Sequence, residues 1–70
     1  MESREKLEKL LEHWGHHNEE HAESYLKWAE EAEAAGLKET ARILKEVYQQ
    51  TLNINTLFEQ AKRELKKEGQ

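Results

Sequence analysis

Between Ser3 and Lys67 the chain contains no proline, and its one strong stop signal is Ala34-Ala35-Gly36-Leu37. Gly36 can take the left-handed conformation that ends a helix, and Leu37 can fold back onto Ala32 as the accompanying apolar contact. Two long helices joined by a tight turn follow from that pattern, because glutamate, lysine, alanine, leucine and glutamine dominate both sides of it and all favour helix. The spacing predicts a first helix over about 3–35, a turn at 36–37 and a second helix over about 38–67, together one all-α domain spanning 1–70.

In the first helix Leu7, Leu11, Trp14, Tyr25, Trp28 and Ala32 recur in steps of three and four once Asn18 and His21 fill the gap. The phase does not slip at Gly15. A glycine inside a helix costs about 1 kcal/mol relative to alanine, so one continuous helix is the reading, with a break near Gly15 and a three-helix bundle as the alternative. Ser3 is placed to cap the start, with Glu2 and Glu5 beside the positive end of the dipole. Lys66 and Lys67 suit the negative end of the second helix, and Gly69 lies just past it.

The second helix carries Ala41, Ile43, Leu44, Val47 and Tyr48, then Leu52, Ile54, Leu57, Phe58, Ala61 and Leu65. These cover close to half of its circumference, which is wider than one partner helix can bury. At 70 residues a single core supplies only a few kcal/mol, and without cysteine there is no disulfide or thiolate metal site to supplement it. The expectation is an antiparallel two-helix hairpin that forms a homodimer, closing a four-helix bundle.

Charge excludes some partners. With 15 acidic against 11 basic side chains and a net charge of −4, the surface has no basic footprint for nucleic acid. Apolar runs never exceed two residues, so neither a membrane span nor a signal peptide is expected, and the localisation expected is cytoplasmic.

All four histidines fall within nine residues, and His13, His17 and His21 are spaced i, i+4, i+8, one above another along a helix. Two such imidazoles can chelate one ion, and neutral imidazole suits nickel, cobalt, zinc and copper. Measured from the apolar stripe, His21 lies nearest the core, His17 at the rim and His13 at the solvent boundary, while His16 points away. Glu20 adds a carboxylate on the same side. If the turn centres on Gly36 and Leu37, residues whose numbers sum to about 73 face each other across the hairpin. His17 and Asn18 then meet Asn55, Thr56 and Glu59, and Tyr25 approaches Tyr48. The metal-ligand candidates are therefore His17, His21, His13, Glu20 and Glu59. Asn18, Thr51 and Asn55 would orient them, and Trp14 and Trp28 would form a dry collar. Two other readings stand beside this one. The polar layer can set register and partner choice in a structural or interaction module, as a core asparagine does in coiled coils, or clustered histidines can make the dimer responsive to pH.

The layout HA…Y…A…AE…G…A from Asn18 to Val47 resembles the helical hairpin of rubrerythrin-like and ferritin-like proteins. That family's second helix would carry Glu-x-x-His about where this chain has Thr51-Leu52-Asn53-Ile54, so its di-iron ligand set is incomplete here. LLEHW followed by HNEEHAE and KWAE resembles a small His-rich helical domain of anaerobic prokaryotes linked to nickel and cobalt handling. His13, Trp14, His17, Asn18, Glu20, His21 and Trp28 carry that resemblance. It implies metal binding and identifies no activity; the role expected is binding, storage or delivery, with a metal-handling protein as partner, rather than catalysis, because a narrow two-helix core offers little room for a substrate pocket. No glycine-rich phosphate loop, nucleophile elbow or second-helix histidine points to an enzyme or a haem protein.

Overall fold

A computed structural model describes residues 2–68 and shows two α-helices packed as an antiparallel hairpin, α1 (Glu2–Ala34) and α2 (Lys38–Glu68). Gly69 and the side chain of Glu2 lie outside the described residues. Helical structure already includes Glu2, so Ser3 stands inside the first turn instead of capping it. Gly15 does not break α1.

The turn follows its glycine. Gly36 has φ 83°, its N–H donates to the Glu33 carbonyl (3.0 Å), and the Leu37 N–H reaches back to the Ala32 carbonyl (2.9 Å). These two bonds are the Schellman pair that satisfies the last carbonyls of a helix. The Leu37 carbonyl then accepts from Ala41 N–H (2.9 Å) and starts α2.

Where the helices meet, the buried and half-buried positions of α1 run Glu8, Leu11, Gly15, Asn18, Ala22, Tyr25, Ala29 and Ala32, with half-buried Leu26 beside Tyr25. On α2 they run Ala41, Leu44, Tyr48, Thr51, Asn55, Phe58, Lys62 and Leu65. Both series alternate steps of four and three, which is the seam of a coiled coil. The stripe expected from the large side chains is therefore rotated by one position over much of α1. Trp14, His21 and Trp28 stand on the flank of the seam, and the small residue after each, Gly15, Ala22 and Ala29, stands in it.

The physical reason is close approach. Ala29 is 0% exposed and Ala22 and Ala41 are each 2% exposed, and among the described residues no large side chain is fully buried. An asparagine side chain is short, yet Asn18 Nδ2 donates across the seam to the backbone carbonyl of Thr51 at 2.8 Å. A tryptophan between the helices would hold those backbones apart. The Thr51 hydroxyl, itself buried, donates to the Val47 carbonyl of its own helix (2.7 Å), so a polar seam residue is satisfied locally.

The two flanks of the seam differ in chemistry. On one, Lys45 pairs with Glu33 (2.9 Å), Asn55 Nδ2 donates to Glu19 (3.0 Å), and Lys62 pairs with Glu59 (3.5 Å). On the other stand Leu7, Trp14 and Trp28 of α1 with Val47 and Ile54 of α2, all more than a third exposed. The hairpin is long and thin, 53 × 14 × 10 Å, with a radius of gyration of 16.0 Å. A compact chain of this length would have about 11 Å.

Candidate functional site

Seven-residue spacing along α1 builds the site. Trp14, His21 and Trp28 occupy equivalent positions on successive pairs of turns, and Leu10 and His17 line the next row outward. The histidine pair therefore lies midway along the apolar flank, between Trp14 and Trp28.

Within the pair, His17 Nε2 and His21 Nε2 are 2.9 Å apart, so one imidazole N–H donates to the bare nitrogen of the other. Their rings meet edge to face with centroids 4.5 Å apart. His13 stacks over His17 at 6.0 Å, and Tyr25 stacks under His21 at 6.0 Å, so the two rings are held in a column of four along α1. Trp14 tilts onto Phe58 of α2 at 6.3 Å. His13, Trp14, His17, Asn18, His21 and Phe58 together line a cleft of about 330 Å³.

The remaining candidates separate into distinct places. Glu20 is 3.9 Å from His17 Nδ1, the nitrogen turned away from His21, and 3.8 Å from His16 Nε2. Its carboxylate faces the back of the His17 ring and the outer histidine, not the convergence of the Nε2 atoms. Glu59 is on the charged flank, where it shares a narrower cleft with Gly15, His16, Glu19, Asn55 and Lys62. The fold does not bring it to His17 and His21. Asn55 belongs to that flank too: its amide donates to Glu19, and its Oδ1 is buried without a hydrogen-bond partner. Asn18 alone among the residues expected to orient ligands both lines the histidine cleft and crosses the seam to Thr51.

His21, expected nearest the core, is exposed, because Ala22 takes the seam position. Trp14 and Trp28 are 42% and 58% exposed, so one hairpin does not form the dry collar expected of them. The signal that would have placed all three is the run of small residues at seven-residue intervals, Gly15, Ala22 and Ala29. Small residues at this spacing mark a close approach of helices, which bulk alone does not reveal. Among the described residues, no group of three or more histidine, aspartate or glutamate side chains is arranged to hold a metal ion. Two converging imidazoles are what a single hairpin brings together.

No helix among the described residues is long and apolar enough to cross a membrane. No curated protein and no solved structure matches the chain. A family model does match, over residues 7–65, which takes in the whole seam and the histidine column, and the chain belongs to that family, described as a domain of unknown function (DUF8180).

Proposed function

We propose that this hairpin binds a divalent transition metal through His17 and His21, works as a homodimer, and serves in binding, storage or delivery rather than catalysis. The observation that supports the reading is the 2.9 Å separation of two exposed Nε2 atoms one helical turn apart. At a metal–nitrogen distance of about 2.0–2.1 Å, two nitrogens that close subtend about 90°, the angle between neighbouring ligands in square-planar or octahedral sites. Opening the pair by a few tenths of an ångström would reach the tetrahedral angle that zinc prefers. An ion would replace the single proton the two rings share.

The column of rings supports the same role. Stacking by His13 and Tyr25 holds the chelating pair from both sides, and Glu20 behind His17 Nδ1 is where a carboxylate orients a metal-binding imidazole and raises its basicity. Glu20 thus acts as a positioning residue, and Glu59 has no part. Nickel, cobalt, zinc and copper all suit imidazole, and a metal-handling protein is the natural exchange partner.

Thermal unfolding with and without each of the four metals tests this. A stoichiometric ion binding at a hundred times its Kd stabilises by about 2.7 kcal/mol, which raises the melting temperature of a chain this size by roughly 10–20 °C. The shift is expected to disappear in the double variant His17→Ala with His21→Ala. Identical melts with all four metals would overturn the proposal.

A further inference from the structure

If the chelating reading above holds, two imidazoles are half of a four-coordinate site, and something must supply the rest. We infer that a second copy of this chain does so: two hairpins dock by their apolar flanks about a two-fold axis, and the four imidazoles of the two His17–His21 pairs surround one ion.

Placement is the first argument. The histidine pair is centred on the flank that carries the exposed apolar side chains, and the ion pairs of the seam are on the opposite flank. Leu10 and Trp14 precede the pair on α1 and Trp28 follows it, while Ile54 and Leu57 are exposed on α2. All five are between 39% and 58% exposed. A face of this kind, largely apolar and presented by both helices, with Lys27 and Glu31 beside Trp28 at its end, is what a partner covers.

Area is the second. A compact chain of 8.3 kDa exposes about 4,600 Å² by the size scaling of monomeric proteins, and this hairpin exposes 5645 Å². The surplus of about 1,000 Å² is the size of one partner's share of a standard interface, about 800 Å².

Symmetry is the third. A two-fold interface sets the same patch of each copy against the other, so groups on the axis meet their own equivalents. With the axis crossing the hairpin at the height of His17 and His21, α1 runs antiparallel to α1 of the second copy. The two histidine pairs then converge, and Leu10 of each copy lies opposite Trp28 of the other. The tryptophans, open to water in one hairpin, close the site above and below. Completing the ligand set and covering the apolar flank are one event.

Zinc titration followed by sedimentation and native mass spectrometry decides the matter. The expected result is one zinc ion per two chains, with the dimer strengthened at least tenfold by the ion. Ile54→Glu and Leu57→Glu place a charge on the flank at exposed positions of the other helix, away from the imidazoles. Each is expected to remain helical by circular dichroism, to become monomeric, and to lose at least tenfold in zinc affinity. One ion per monomer in the parent chain would overturn the shared site and leave the chelating pair standing. So would full affinity and an intact dimer in both variants. Absence of zinc, nickel, cobalt and copper binding would overturn the chelating pair itself, and the shared site with it.

Discussion

Replacing Ala29 with leucine asks whether the seam is tight or merely apolar. Ala29 is fully buried between the helices, with Ala22 and Ala32 two turns and one turn away and also buried. Leucine's helix propensity is close to alanine's, so the change acts almost entirely through packing. In a loose seam, three added carbons would gain about 0.8 kcal/mol each, roughly 2 kcal/mol of stabilisation. In a seam where an asparagine side chain already spans from one helix to the other's backbone at 2.8 Å, there is no volume for them. Overpacking of that kind costs about 1–3 kcal/mol. The two cases differ in sign. For a chain of this size 1 kcal/mol moves the melting temperature by about 4–8 °C, so a fall of roughly 4–24 °C is expected. Circular dichroism melts at several matched protein concentrations measure it, with Ala34→Leu, at an exposed position on the same helix, as a control that should be near neutral. A higher melting temperature for Ala29→Leu would refute the close-approach account of the rotated stripe.

Two glycines make further tests. Gly36→Ala meets no atom within 4 Å but must hold φ near 83°, so it is expected to destabilise by about 1–2 kcal/mol through backbone strain alone, and an unchanged melt would refute that account of the turn. Gly15→Ala gains about 1 kcal/mol of helix propensity and brings a methyl group to 3.3 Å from Asn55 Oδ1. Because the Asn55 side chain is held by one hydrogen bond, to the exposed Glu19, it can give way, and a rise of a few degrees in melting temperature is expected; a fall would mean that the seam is rigid at Gly15.

Much of the architecture is legible in the residues because it depends on local chemistry. Gly36 followed by Leu37 encodes a Schellman turn through the missing Cβ, and the hydrogen bonds to Glu33 and Ala32 are the ones that encoding requires. Continuous helix through Gly15 is legible because the three-and-four phase persists across it. The close pair His17 and His21 is legible as well, since an i, i+4 spacing on a helix brings side chains together whatever the rest of the chain does.

What depended on the second helix was the rotation of the first. Periodicity reports the angle between residues around one helix, not which arc faces the neighbour, and two adjacent arcs of α1 repeat every seven residues: Trp14, His21 and Trp28 on one, Gly15, Ala22 and Ala29 on the other. By itself the sequence determined two helices, one reversal and one pair of adjacent imidazoles. Only the packing of α1 on α2 decided that the small arc goes inward, because backbone proximity and the Asn18 to Thr51 bond require slender residues between the axes. That choice turned His17, His21 and the tryptophans outward onto a shared apolar flank, and it sent Glu59 and Asn55 to the other side.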